Sequence, residues 1–316
     1  MKFHETQIIV FANQKGGCGK TSSTVATAAA FAALGYRVCV LDTDPQCNAT
    51  ENLGVDPDQV VRERRLTLAD AFLSKAPALQ IAVTPKDRFD GLISLVPGHR
   101  ALSSVGPRLE NEVLQLLGDP NSSDLDAEDV RREHRMRLRQ SVDSLRGEYD
   151  VVLIDTPPNL DFVMSSALIA ADWYVVPTFP SGYDLNGLQV LTRTIEKVRK
   201  AYNPGLTLAG VLLGNYDRTT ALDRQVHDLL RKRFTPALVF STTIARSVRY
   251  REAAIGRITI FEHPQGQEQA AQYTALVKEM LNRGSKTSTN STLNPLPNPE
   301  EIEQVIGHDV EEVVNG

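Results

Sequence analysis

The 316-residue chain is poor in cysteine, with three residues at positions 18, 39 and 47 and none later. An odd count crowded into the first 50 residues builds no closed disulfide framework, and a reducing compartment is the simplest setting. No stretch reaches 18 consecutive apolar residues, so no transmembrane helix is expected. No apolar run of signal-peptide length precedes position 15. Basic charge is not in excess either. There are 34 Lys and Arg against 39 Asp and Glu, a net charge of -5, so local rather than bulk charge must reveal any nucleic-acid surface. The rest is ordinary: 41% hydrophobic and 23% charged, enough for one large α/β domain or two small ones.

Apolar patterning favours one domain. Residues 7–12, QIIVFA, form a β-branched run that ends at a glycine-rich loop and reads as a buried strand. KTSSTVATAAAFAAL then reads as a helix, with Gly35 at its C-terminal cap, and RVCVLD (37–42) as a second strand. Further strands are expected at 92–98, 150–158, 173–179 and 206–214, with a weaker one at 237–244. Helical patterns at 161–172, 186–201 and 221–234 alternate with them. This pattern predicts a single doubly wound, mostly parallel sheet with helices on both faces, over residues 1–283.

Two segments break the rhythm. Within 119–148, DPNSSDLDAEDV reads as a loop. The following RREHRMRLRQSVDSLRGEY reads as a helix turning Met136, Leu138, Val142 and Leu145 inward. Its five arginines within 131–139 read as a solvated face balanced by nearby acids. Residues 284–316 read as a disordered linker and an acidic tail. Positions 300–314 carry six acids and no Lys or Arg, either a short docking helix or a loosely ordered end.

The chemistry concentrates in GGCGKTS, Gly16 to Ser22. After a strand and before a helix, such glycines let backbone N–H groups approach phosphate oxygens, and the helix end adds partial positive charge. Lys20 is placed to reach β- and γ-phosphates, and the Thr21 hydroxyl to ligate Mg2+. Asp42 and Asp44 end the second strand, and Asp155 ends VVLID, where a carboxylate holds Mg2+ through water. Lys15, in the same loop, has no place in this scheme.

Together, KGGCGKTS, LDTDPQCNAT and LIDTPPNL resemble the deviant Walker-A ATPases, and within them the ParA/Soj DNA-partitioning branch. GVLLGNYDRTTALDRQV and TIARSVRYREA are also similar to that group. The resemblance covers about residues 5–283, is weak across 119–148 and is absent from the tail. It implies ATP and Mg2+ as cofactors, slow ATP hydrolysis and an ATP-bound homodimer. Lys15 matches the signature lysine that crosses to the partner's nucleotide, Asp44 the residue that positions the attacking water, and Asp42 and Asp155 the residues that hold Mg2+ through water. The loop residues Lys15, Gly16, Gly17, Cys18, Gly19, Lys20, Thr21 and Ser22 bind nucleotide, and Asn215 and the loop near Arg246 lie where base contacts are placed. There are departures. Cys18 stands where a small aliphatic residue is usual, Cys47 where glycine is frequent, Ser22 for threonine and Ala245 for proline. Cys18 is either a thiol reactive to alkylation or a small buried residue.

Residues 218–257 hold nine Lys or Arg against three acids, a local +6 in a chain of -5. That is an electrostatic footprint for a phosphate backbone. Arg218, Arg224, Arg246, Arg249 and Arg251 are the candidate contacts with DNA, although Arg218 lies one place out of register with a family arginine. The P-loop begins at residue 15 with no helix-turn-helix before it, so binding is expected to be independent of sequence. The resemblance also implies a ParB-like partner that stimulates hydrolysis and a cytoplasmic, nucleoid-associated location. Plasmid, chromosome and protein cargo stay open. A MinD-like membrane switch would need a basic amphipathic C-terminal helix, and this end is acidic. An iron–sulfur protein on the same scaffold would need cysteines beyond position 47. A small-molecule amidating enzyme or ligase stays open, but would not need the basic cluster.

Overall fold

The computed structural model describes residues 5–119, 122–159, 161–180, 184–233 and 238–287. Six strands form one sheet in the order β3-β2-β4-β1-β5-β6: β1 (Gln7–Phe11), β2 (Val38–Asp42), β3 (Ile93–Val96), β4 (Val151–Asp155), β5 (Trp173–Thr178) and β6 (Thr207–Leu213). All five pairings are parallel. Segment 237–244 contributes only an isolated bridge, Val211 to Val239, among the described residues.

Near-continuous apolar strands follow from burial on both faces. Along β1, Ile8 and Val10 enter one core while Ile9 and Phe11 enter the other. In β2 the split is Cys39 and Leu41 against Val38 and Val40. One layer contains α1 (Lys20–Ala33), the short α2 (Asn48–Asn52) and a long C-terminal helix (Gln267–Thr287). Three further short helices, α3 (Pro57–Arg62), α4 (Leu68–Leu73) and α5 (Ala78–Ile81), fill the β2–β3 connection. The second layer contains α4 and α5 with α6 (Val105–Leu117), α7 (Asp124–Asp143), α8 (Phe162–Ala170), α9 (Asp184–Ala201) and α10 (Ala221–Arg233). α11 (Arg249–Ile255) precedes the C-terminal helix, α12. Gly35 at φ 83° closes α1, donating to Ala32 O while Tyr36 N reaches Phe31 O.

Two expectations need correction. The loop expected before residue 131 is already helical from Asp124. A reciprocal cap explains it: Ser123 Oγ accepts from Asp126 N, and Asp126 Oδ2 accepts from Ser123 N. Residues 284–287, expected to start the linker, are instead the last of α12, which runs to Thr287; each residue added to a formed helix gains a hydrogen bond. Residues 288–316, with the rest of the tail expectation, lie outside the described residues.

Met136, Leu138, Val142 and Leu145 do face the core. The arginine face is not uniformly solvated, because Arg137 is buried. Its Nη1 donates to Phe72 O at 2.7 Å and its Nε to Glu133 at 3.3 Å. Beside it, buried His134 places Nε2 3.0 Å from Glu112 Oε2 without the alignment of a hydrogen bond. Burial, then the Arg137 charge, pushes the His134 pKa below its ordinary value, with Glu112 opposing. A depressed histidine gives stability that is complete above about pH 6.5 and is lost as pH falls. Urea midpoints should therefore drop between pH 7 and 5.5, with a slope from this group no steeper than about 1.4 kcal/mol per pH unit. His134→Gln should flatten that part of the profile.

Candidate nucleotide site

The sheet brings its C-terminal strand ends to one edge, and β1 delivers the phosphate loop to the middle of it. Asp155 pairs with Phe11 on one side and with Asp42 on the other. Gly17 (φ 73°) and Gly19 (φ 85°) take left-handed turns that curl the loop onto α1. Gly19 is the N-cap of α1 and supplies no side-chain cap, so the first N–H groups of a 14-residue helix point into the loop. Asn13, missed in the sequence, anchors the loop: Nδ2 donates to Pro177 O at 2.6 Å and Oδ1 accepts from Lys15 N at 3.1 Å. Lys20 is buried, with Nζ donating to Lys15 O at 3.0 Å. Cys18 is 1% exposed and its Sγ also donates to Lys15 O, at 3.2 Å, which favours the small buried residue over the reactive thiol.

Asp42 and Asp155 are fully buried and Asp44 nearly so. Asp42 Oδ2 accepts from Thr50 N at 2.8 Å and Thr50 Oγ1 at 2.7 Å, and Oδ1 accepts from Asp44 N at 3.2 Å. Thr50 Oγ1 in turn accepts from Gly98 N. Gly98 must be glycine, because a Cβ there would sit 2.8 Å from Asp42 O. Asp155 Oδ1 accepts from Thr24 Oγ1 at 3.3 Å, but its Oδ2 is buried with no hydrogen-bond partner. Burial, followed by the Asp42 charge, pushes the Asp155 carboxyl up to about 8, against the Thr21 hydrogen bond that lowers it. Burial pushes Asp42 up to about 6, against the bonds from Thr50.

A cleft of about 680 Å³ opens at the phosphate loop and Asp44. Loop residues 16–23, Asp44, Thr156 and Phe179 line it together with Asn215, residues 244–248, 250 and 251, and Tyr273. The structure thus brings Asn215, Arg246 and Arg251 to the cleft that holds the phosphate loop. Tyr273 hydroxyl meets Ser23 Oγ at 3.1 Å, and Tyr250 packs edge-on to Tyr273 at 6.2 Å between centroids. Neither tyrosine carries a motif that would have disclosed it in the sequence.

An AAA-domain family model matches residues 6–208. The chromosome partitioning protein ParA of Caulobacter vibrioides is 35% identical over 287 residues, 90% of this chain and 97% of that protein. The chromosome-partitioning ATPase Soj of Thermus thermophilus is 36% identical over 276 residues, 87% of this chain and 95% of that one. The chain belongs to the ParA/Soj family of ATPases. Among solved structures it is similar to a cobyrinic acid a,c-diamide synthase from Mycobacterium smegmatis with bound ATP analog and magnesium. The TM-score is 0.68 at 25% identity, covering 93% of this chain and 99% of that one.

Family departures gain a physical reading. Cys47 occupies φ 58°, the left-handed region where glycine costs nothing and another residue costs about 1–2 kcal/mol. Asn215 also sits there, at φ 52°, a conformation asparagine tolerates. The five candidate arginines differ in their partners more than in exposure. Arg218, Arg224, Arg246 and Arg251 are exposed. Arg224 Nη1 is taken by Arg218 O at 2.7 Å and Thr219 O at 3.1 Å, and Arg249 is paired with Glu252 at 2.7 Å.

The donor set suits Mg2+. It has a buried carboxylate oxygen without a partner, the Thr21 hydroxyl near it and room for phosphate and water. Among the described residues no three side chains of His, Cys, Asp or Glu enclose a cation by themselves. Asp155 has a raised carboxyl pKa, so its contribution to stability is largest when protonated and fades as pH climbs through about 8. A cation must displace that proton. The strengthening of ADP affinity by Mg2+, followed by titration calorimetry, should therefore be close to tenfold greater at pH 8.5 than at pH 7.0. Asp155→Asn should lose both the strengthening and its pH dependence.

Proposed function

We propose that this chain is an ATP-driven DNA-partitioning switch. ATP, with Mg2+ at Thr21 and Asp155 and Asp42 acting through water, fills the phosphate loop and joins two copies face to face. The dimer binds duplex DNA through exposed arginines, and hydrolysis, stimulated by a ParB-like partner, releases it in the cytoplasm from the nucleoid. The observation that carries this reading is a cleft lined by phosphate-loop residues 16–23, Asp44 and an arginine-bearing segment, beside the paired strand ends that carry Asp42 and Asp155. The ParA and Soj relatives match along nearly their whole length.

Each residue has a chemical task. Lys20 neutralises charge on the β- and γ-phosphates of its own nucleotide. Lys15 does so for the nucleotide of a second copy, as an arginine finger would. Asp44, at the cleft, orients the attacking water. Arg218, Arg246 and Arg251 meet DNA phosphates, and the paired Arg224 and Arg249 shape the loops that present them.

A second reading, amide formation on a small molecule, is favoured by the likeness to the diamide synthase structure. Against it, all three cysteines are buried, so none is accessible as a nucleophile that frees ammonia from an amide donor. The exposed arginines would also have no task.

Light scattering, ATP turnover and DNA retention separate the roles. Lys20→Ala should lose nucleotide-dependent dimerisation. Asp44→Ala should dimerise, lose at least about 100-fold in turnover and stay on DNA. Arg218→Glu combined with Arg246→Glu should dimerise without holding DNA. For about six phosphates contacted per dimer, log K should fall against log salt with a slope near -5. Normal turnover in Asp44→Ala refutes its role. DNA binding that is insensitive to salt, or equal with and without ATP, refutes the switch.

A further inference from the structure

Two features, one at the rim of the nucleotide cleft and one in the C-terminal sequence, are complementary. The first is a ridge on α11. Val248, Arg251 and Ile255 lie at i, i+3 and i+7, on one side of the helix. Ile255 is 85% exposed and Val248 53%; no other large hydrophobic side chain among the described residues is as open as Ile255. Exposed Arg246 and Arg257 flank them, Arg257 lying 3.4 Å from Glu51. The one acid on this helix, Glu252, is engaged by Arg249 at 2.7 Å and by His263 at 3.3 Å. Two uncovered aliphatic groups among arginines make a surface suited to an acidic, amphipathic partner.

The second feature is the segment 300–314. It carries six acids without a Lys or Arg, and Ile302, Val305, Ile306 and Val310 recur at i, i+3, i+4 and i+8. We propose that this acidic segment docks on the Val248–Arg257 ridge and covers arginines that DNA would otherwise use. The blocking role rests on the DNA reading above; the docking itself does not.

Reach permits it. α12 starts beside the ridge, since Gln272 Oε1 accepts from Ala245 N at 3.0 Å, and ends at Thr287. At 1.5 Å per residue, the chain leaves the helix about 22 Å from the level of Gln272. Residues 288–299 span up to about 37–40 Å when extended, enough to return. Charge selects the ridge over a second open apolar patch. Leu114, Leu117 and Leu125 lie on α6 and the start of α7, where Glu110 and Glu112 pair with Arg131 and Arg137 but Asp124 and Asp126 add acids that would repel an acidic segment.

The test uses the full chain and a fluorescent peptide of residues 298–316. Ile302→Ser with Ile306→Ser disables the tail while keeping every charge, so any change in DNA affinity reports lost docking. On this background the peptide should bind in trans with Kd about 0.1 mM, weaken with salt and lose binding when Ile255→Ser is added. With a tethered concentration of about 1 mM, the tail variant should bind random-sequence duplex about tenfold tighter than the parent chain. Failure of the peptide to bind, or binding indifferent to Ile255→Ser, overturns the docking. Peptide binding with unchanged DNA affinity overturns the blocking role alone. Peptide binding without DNA binding by any form sinks the DNA reading and leaves the docking standing. Loss of ATP-dependent dimerisation in Ile255→Ser would mean that a second copy covers the ridge, and the proposal falls.

Discussion

Two buried carboxyl groups on adjacent strand ends constrain everything around them. Asp42 and Asp155 face each other across the β2–β4 pairing with no solvent at either, so ionising both at neutral pH without a cation is costly. The fold answers the two differently. Asp42 receives two hydrogen bonds from Thr50 and one from Asp44, and its pKa rises only to about 6. Asp155 keeps one oxygen without a partner and rises to about 8. Asp42 is therefore held mainly by hydrogen bonds within the protein, whereas Asp155 keeps an oxygen that a cation would satisfy in exchange for the proton.

That asymmetry explains features with no obvious bearing on nucleotide. α2 exists to present Thr50, whose N–H and hydroxyl both point at Asp42. Cys47 accepts a left-handed backbone to start that helix directly after Asp44. Gly98, far away in sequence, gives up a side chain so that its N–H can reach Thr50 behind Asp42. The hydrogen bonds that these positions permit offset part of the cost of burying the Asp42 carboxyl, and local strain and lost side-chain packing are the expense.

The legible parts of the fold were those written locally. Each apolar run that became a strand carries its own evidence of burial on both faces, and the glycine loop lies between a strand and a helix in unbroken sequence. Asp42, Asp44 and Asp155 were readable because strand ends in a parallel sheet converge on one edge. The parts that were not legible depend on distant partners. Thr50 and Gly98 acquire their roles only when β2 and β3 are side by side, and Asn13 only when β1 and β5 are. Arg137 looked like one of five solvated arginines because nothing nearby in sequence shows that Phe72 O will meet it. The start of α7 was missed for a different reason: its polar first turn is stabilised by a cap, which hydrophobic periodicity does not register.

The segment 244–251 has the clearest consequence for a switch. It is tied to the sheet through Ile244 N to Leu213 O, to the loop after β6 through Arg246 N to Tyr216 O, and to α12 through Gln272. Its side chains line the nucleotide cleft, and two of its arginines are exposed at the same time. A ligand that orders one side of a strap fixed at several points along its backbone also restricts the other side. In the proposed cycle, coupling between nucleotide and DNA then needs no long pathway. Both ligands would act on one eight-residue strap, and the affinity of each would change with the other by the same factor.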